Sequence, residues 1–87
     1  MEQDVSQLTT NDVVKLDIIH LLSTHDDKLS VTSIAKQLGY KYETVRTALS
    51  FLLICNICCR YSEKHGNRVH EYVGLTELGR QVSKQIE

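Results

Sequence analysis

A polar helical face carries the residues best suited to chemistry. In the segment that follows Gly39, five polar side chains recur on one side of a helical pattern: Glu43, Thr44, Arg46, Thr47 and Ser50. Arginine can donate two hydrogen bonds to guanine, threonine can contact a thymine methyl group, and glutamate can accept a hydrogen bond from cytosine. The solvated side of an ordinary helix has the same composition. The pattern therefore predicts a surface that suits base edges, with a plain solvated face as the alternative.

Three cysteines form a second chemical cluster. Cys55-x-x-Cys58 has the spacing of half a zinc site, and Cys59 follows directly. A structural zinc site needs four ligands, yet only His65 and His70 lie nearby, and adjacent residues of a strand point to opposite faces. We therefore predict neither a metal nor a cofactor. Thiols that pack as small apolar groups are the expected state, and a disulfide among the three cysteines is the alternative.

Catalytic patterns are missing from the sequence. The chain has no glycine-rich phosphate loop and no nucleophile beside a base at a known motif spacing, and its four histidines lie in no catalytic arrangement. We therefore predict that the protein is not an enzyme.

Two apolar helical patterns flank Gly39 and would support the polar face. The first places Ile34, Ala35 and Leu38 on one side. The second, with the i, i+3, i+4, i+7, i+8 spacing of a buried stripe, contains Val45, Ala48, Leu49, Leu52 and Leu53. Gly39 allows the positive φ of a sharp turn after a helix. Residues 32–54 are thus predicted to form a helix-turn-helix.

Another helix is predicted ahead of this unit. It begins at the capping residues 10–12 and ends near Ser23. Its apolar arc is wider than one face, which indicates burial by several neighbours or, alternatively, a dimer contact. Residues 1–10 are predicted to be a flexible arm, and residues 11–87 a single domain.

The starts of the second and third helices can also be predicted. Leu29–Val31 is long enough only for a small edge strand, and Ser30 or Thr32 is the expected cap of the second helix. Lys41 stands where the third helix begins. Lysine is a poor cap, but its ammonium group would lie where the chain could approach phosphate.

A β-hairpin is predicted after the third helix. Asn56 tolerates the left-handed conformation that often ends a helix. The strands are Ile57–Glu63 and Arg68–Leu75, joined by a turn that contains Gly66-Asn67. The positions expected to face the core are Ile57, Cys59 and Tyr61 on the first strand, and Val69, Val73 and Leu75 on the second. Glu71 breaks the alternation, so the register stays open. Thr76 then caps a final amphipathic helix.

Charge is strongly segregated along the chain although the net charge is only −1. Residues 28–70 contain seven lysines and arginines against two glutamates, a balance of +5, whereas residues 1–27 sum to −5. Such separation would give one face that attracts phosphate. No apolar run approaches the roughly 20 residues of a membrane helix. The polar, acidic N-terminus differs from a secretory signal, so we predict a cytoplasmic protein with no membrane partner.

The order of elements resembles the winged helix-turn-helix of MarR-like and ArsR-like transcription regulators over about residues 12–83. The most specific features are the apolar helix-turn-helix pattern and the junction Leu75-Thr76-x-x-Gly79-Arg80. The resemblance implies an α+β, mostly α fold with a three-helix core, a two-stranded β-hairpin wing and a C-terminal helix. It also implies that the third helix enters the major groove while the wing follows the backbone or the minor groove.

Positions for DNA contact follow from the resemblance. In the third helix they are Lys41, Tyr42, Glu43, Thr44, Arg46, Thr47 and Ser50. In the wing and its flanks they are Lys64, His65, Asn67, Arg68 and Lys36. The cysteines of metal-sensing arsenic-type regulators are missing from the corresponding helices. The long terminal helices that form the MarR-type dimer and its ligand pocket are short or missing, so no small-molecule effector is implied.

The sequence is compatible with two functions. The first is a sequence-specific transcription regulator that binds double-stranded DNA, as a homodimer on a palindromic site. The alternative is a winged-helix module that binds protein instead of DNA. The acidic net charge favours the second, and so do Phe51 and Ile54, which lie off the buried stripe and are expected to pack against the hairpin or a second subunit.

Overall fold

Four helices and one β-hairpin make up the part of the chain that this computed structural model describes, residues 10–25 and 28–86. The helices are α1 (Thr10–Ser23), α2 (Val31–Leu38), α3 (Tyr42–Ile54) and α4 (Glu77–Ile86), and the strands are β1 (Cys58–His65) and β2 (Arg68–Leu75). The predicted α+β, mostly helical architecture is confirmed. The predicted arm falls outside the described residues except for Thr10, which begins α1. No helix within the described ranges is long and apolar enough to cross a bilayer.

Helix α1 lies at the centre of the core. Its side chains Val14 and Ile18 are fully buried, and the helix packs against α2, α3, α4 and β2. The wide apolar arc is therefore explained partly by several neighbours, which also bury Ile19. Val13 and Leu16, by contrast, are 41% and 40% exposed.

The helix-turn-helix forms as predicted. Ser30, not Thr32, caps α2: its hydroxyl accepts a hydrogen bond from the Ser33 amide at 3.1 Å. Gly39 has φ of 78°, and its amide donates to the Ala35 carbonyl at 2.9 Å, which closes the helix. The predicted edge strand is reduced to a bridge between Leu29 and β2, because Val31 already belongs to α2.

The core-facing positions predicted for β1, Cys59 and Tyr61, are wrong by one residue. Cys58 pairs with Leu75, so Cys58 is buried at 2% exposure and Cys59 faces the other side. Tyr61 is 37% exposed, and Val69 is 62% exposed. Only the base of the hairpin packs against the core. Apolar side chains farther along the strands are therefore exposed on either face, and their positions in the sequence do not indicate which face is turned toward the core.

Two positive-φ residues shape the hairpin. Asn56 ends α3 with φ of 63°, as predicted. The strands continue to His65 and leave the two-residue turn Gly66-Asn67, in which Gly66 has φ of 65° and Asn67 has negative φ. Positive φ at only the first turn residue is the pattern of a type II′ turn.

The contacts between the hairpin and α4 explain the threonine and the glycine of the Leu75-Thr76-x-x-Gly79-Arg80 motif. Thr76 caps α4, because its hydroxyl accepts from the Gly79 amide at 2.9 Å and donates to the Asn56 carbonyl at 2.6 Å. A Cβ atom at Gly79 would collide with the Ile57 carbonyl. The threonine and the glycine thus hold the start of α4 against the Asn56-Ile57 segment that follows α3, and the glycine is required by close backbone approach.

Candidate nucleic-acid interface

Helix α3 has one buried and one exposed side. Its buried stripe consists of Val45, Ala48, Leu49 and Leu52. Its exposed side carries the predicted base-reading residues Glu43, Arg46, Thr47 and Ser50. Thr44 is only half-exposed, since it turns toward the core side of the helix, and Tyr42 is 49% exposed. The structure therefore brings most of the predicted positions together on one accessible surface.

The polar side chains of this surface make few and weak interactions with the rest of the protein. Arg46 lies 3.7 Å from the Glu43 carboxylate, and these side chains are 65% and 78% exposed. Exposed pairs of this kind are weak, so the guanidinium can exchange its partner for a base. The Ser50 hydroxyl donates to the Arg46 carbonyl at 3.1 Å and keeps its lone pairs for a donor.

The start of α3 faces the same surface. Lys41 is the N-cap, and its exposed side chain makes no capping hydrogen bond. The first amides of α3 therefore receive no acceptor from the cap, and the positive end of the helix dipole lies beside a lysine ammonium. This combination favours phosphate.

Tyr40 links the turn to α1. Its hydroxyl donates to the Asp17 carboxylate at 2.5 Å, and its ring packs partly against the core. The hydrogen bond to Asp17, with a smaller contribution from burial, raises the pKa of Tyr40 above its ordinary value. The contact holds the turn that precedes α3 and so helps to fix the orientation of the helix.

The tip of the hairpin is exposed and basic. Lys64, His65, Asn67 and Arg68 surround the turn, as predicted. Within residues 10–25 and 28–86, Lys64 and Arg68 form no ion pair. His65 contacts the His70 ring edge-on, with the centroids 5.0 Å apart. The predicted flanking residue Lys36 is exposed in the last turn of α2.

The outer face of the hairpin neutralises part of the predicted positive segment. Lys28 Nζ lies 2.7 Å from a Glu63 carboxylate oxygen and 4.8 Å from the centre of the Tyr61 ring. The hydrogen bond and charge of Lys28 lower the pKa of Glu63, with a smaller contribution from His65. Lys28 thus forms an ion pair within the described part of the protein, whereas Lys64 and Arg68 at the hairpin tip do not.

Sequence reasoning missed a groove between α3 and the inner face of the hairpin, about 90 Å³ in volume. Arg60 and Glu71 line it from the hairpin side, opposite Arg46 of α3. The register error concealed these residues, because an inward Cys59 would have turned Arg60 away from α3. The sequence offers no signal that separates the two registers here, because positions 58 and 59 are both cysteine, and only the burial of Cys58 in the structure reveals Arg60 and Glu71.

The cysteines are free thiols with three different environments. Cys58 is buried, and burial raises its pKa to about 12, with a smaller contribution from Cys59. Cys59 donates to the Tyr61 hydroxyl at 3.1 Å, and Cys55 is exposed. The described residues contain no group of three or more side chains arranged to hold a metal ion. Packing, the expected role of these thiols, describes Cys58 well.

Comparison with known proteins gives structural matches alone, since no protein-family model and no curated protein matches the chain. A mutant of MepR from a multidrug-resistant Staphylococcus aureus clinical isolate is 26% identical, with a TM-score of 0.75 over 84% of this chain and 53% of MepR. The adhesin competence repressor AdcR of Streptococcus pyogenes is also 26% identical, with a TM-score of 0.75 over 98% of this chain and 58% of AdcR. This chain therefore spans just over half the length of either protein.

A third structural match has a similar fold, and this chain covers most of its length. A PadR family transcription regulator from Clostridium difficile is 20% identical, with a TM-score of 0.74 over 84% of this chain and 81% of the regulator. The TM-scores of 0.74–0.75 over 84–98% of this chain mean that these structures share its overall fold. The chain therefore has the winged helix-turn-helix fold of MarR-like transcription regulators, as the sequence resemblance implied.

Proposed function

We propose that this protein is a sequence-specific, DNA-binding transcription regulator. The observation that carries the proposal is the exposed polar side of α3, flanked by the cations of the hairpin tip, on the fold of known regulators. Helix α3 enters the major groove, where Arg46 and Thr47 read base edges. Such a target would place the protein in the cytoplasm with the DNA.

The remaining cations bind the DNA backbone in this proposal. Lys64 and Arg68 contact phosphates beside the groove that α3 occupies, and His65 and Asn67 add hydrogen-bonding groups at the hairpin tip. Lys36 and Lys41 contact the backbone on the other side. These contacts supply affinity for any duplex, whereas the side chains of α3 select a sequence.

We further propose that the protein acts as a homodimer on a palindromic site. Two copies of α3 would then enter successive major grooves about 34 Å apart. The exposed apolar residues Val13 and Leu16 on α1 support a subunit contact, because large apolar side chains that share an exposed helix face favour association.

Selection of bound duplexes from a random pool, followed by titration of the selected site, tests the proposal. We expect enrichment of a two-fold symmetric sequence. Arg46→Ala should weaken binding to that site by about 1–3 kcal/mol and relax the preference at one base position. Arg80→Ala, which removes the same charge from α4, serves as the control and should leave the preference intact. A pool without enrichment, or unchanged binding by Arg46→Ala, would contradict the proposal.

A protein-binding module is the second candidate, because Phe51 is 48% exposed and Ile54 is 84% exposed at the end of α3. Neither residue is buried, as the predicted packing against the hairpin would require, and Lys15 Nζ of α1 lies 3.8 Å from the centre of the Phe51 ring. This function predicts that no duplex is retained at physiological salt, and that Ile54→Asn alters association with protein while the fold stays intact.

A further inference from the structure

The groove between α3 and the hairpin has an apolar floor and a charged rim. Val31, Leu49 and Val73 line the floor, and Arg46, Arg60 and Glu71 lie on the rim. Leu49 and Val73 are 2% and 4% exposed, so the floor is the surface of the core itself. Charges beside such a low-dielectric wall attract a counter-charge more strongly than charges that are fully surrounded by water.

The register fixes Arg60 at this place. Arg60 pairs with Val73, and directly paired residues of antiparallel strands project to the same face of the hairpin. The arginine therefore projects on the side of the hairpin that faces α3. Glu71, two residues before Val73 on β2, shares this face and is a diagonal neighbour of Arg60 at about 7–8 Å.

Neither rim residue of the hairpin is committed to an ion pair. In the described ranges, Arg60 and Glu71 form no salt bridge with each other or with other residues. Lys28 and Arg80, by contrast, line a different cavity together with Tyr61, and Lys28 is bound to Glu63. Arg60 is thus the strand cation best placed for a ligand that lies between α3 and the hairpin.

We propose that Arg60 binds a phosphate of a DNA strand that lies across the mouth of this groove, and that Glu71 weakens the same contact by repulsion. This inference rests on the proposed DNA-binding function. A guanidinium matches phosphate oxygens with two parallel hydrogen bonds, which a lysine cannot do. Arg46 on the opposite rim remains the base-reading residue, so the groove divides backbone binding and base reading between two arginines.

Titration of five proteins over a series of salt concentrations tests this inference. The proteins are the wild type, Arg60→Ala, Arg60→Lys, Glu71→Gln and the matched control Arg80→Ala, each with the selected duplex and with an unrelated duplex. Arg60→Ala should weaken binding to both duplexes by roughly tenfold or more, since the loss of even one hydrogen bond to a charged group has about this effect. It should also reduce the slope of log K against log salt by about 0.9.

The other variants give effects that misfolding cannot imitate. Glu71→Gln should strengthen binding to both duplexes, since it removes a repulsive charge beside the phosphate. Arg80→Ala should leave affinity and slope close to those of the wild type. Arg60→Lys should keep the slope but lose part of the affinity, because the charge remains without the bidentate geometry.

Three results would overturn the inference. Equal losses in Arg60→Ala and Arg80→Ala would mean that overall charge alone acts, while DNA binding itself would stand. A changed base preference in Arg60→Ala would assign this arginine to base reading instead of phosphate binding. Failure of the wild type to bind any duplex would reject the proposed function, and the groove contact with it.

Discussion

Helix α3 and the hairpin contribute to the same surface but are anchored and charged differently. The helix is buried along its length, from Val45 to Leu52, whereas the hairpin is buried only at its base around Cys58 and Val73. Arg46 on the helix lies beside Glu43, so the exposed helix face is close to neutral. At the hairpin tip Lys64 and Arg68 have no acidic partner among the described residues, whereas His65 lies 3.5 Å from the Glu63 carboxylate.

Within the proposed DNA-binding function, this difference predicts a division of roles. Beyond its N-terminal end, where Lys41 favours phosphate, the nearly neutral face of α3 would obtain its binding energy from base edges, which confers selectivity. A cationic hairpin tip binds phosphate on any sequence and confers affinity that depends on salt. The division can be tested at three places in the molecule, beginning with the largest expected effect.

The first prediction concerns anchoring. Leu52→Ala removes a buried side chain, 1% exposed, from α3 and should lower the free energy of unfolding by about 2–5 kcal/mol. Val69→Ala on the hairpin, where the side chain is 62% exposed, should change it by no more than about 0.5 kcal/mol. Urea denaturation measures both values. Similar losses would show that the hairpin is anchored as firmly as the helix.

The second prediction concerns the cations of the hairpin tip. The double variant Lys64→Ala, Arg68→Ala should weaken binding to every duplex and reduce the slope of log K against log salt by about 1.8, or 0.9 for each phosphate contact. The sequence preference should not change. The double variant Arg80→Ala, Lys84→Ala on α4 removes the same two charges and is the matched control. A loss confined to the selected sequence would contradict the assignment of the tip to the backbone.

The third and smallest effect concerns the ion pair on the outer face of the hairpin. The folded-state pKa of Glu63 is lowered by Lys28, so the pair stabilises the protein above the ordinary glutamate pKa of about 4.3, and this stability is lost as pH falls through the lowered value. Glu63→Gln should therefore shift the urea midpoint slightly downward at pH 7 and have less effect at pH 3. A shift that grows toward acid would contradict the pairing.

Much of the fold could be predicted because its signals are local. The apolar spacing of α3, the positive φ at Gly39 and the left-handed Asn56 each depend on a few neighbouring residues. The helix-turn-helix, the hairpin and the solvent exposure of most polar positions on α3 therefore agree with the structure. Gly79 was also visible as part of a motif, although the reason for a glycine there, the close approach of the Ile57 carbonyl, is a tertiary one.

The sequence alone determined which segments are helices and strands, and which side of α3 faces solvent. Tertiary structure decided the register of the hairpin, because a shift of one residue exchanges every side chain between its faces and only the packing of Cys58 against the core selects one of them. It likewise decided which cations are neutralised, since the partner of Lys28 lies 35 residues away along the chain. The groove contains Arg60 and Glu71 because the observed register turns both side chains toward α3.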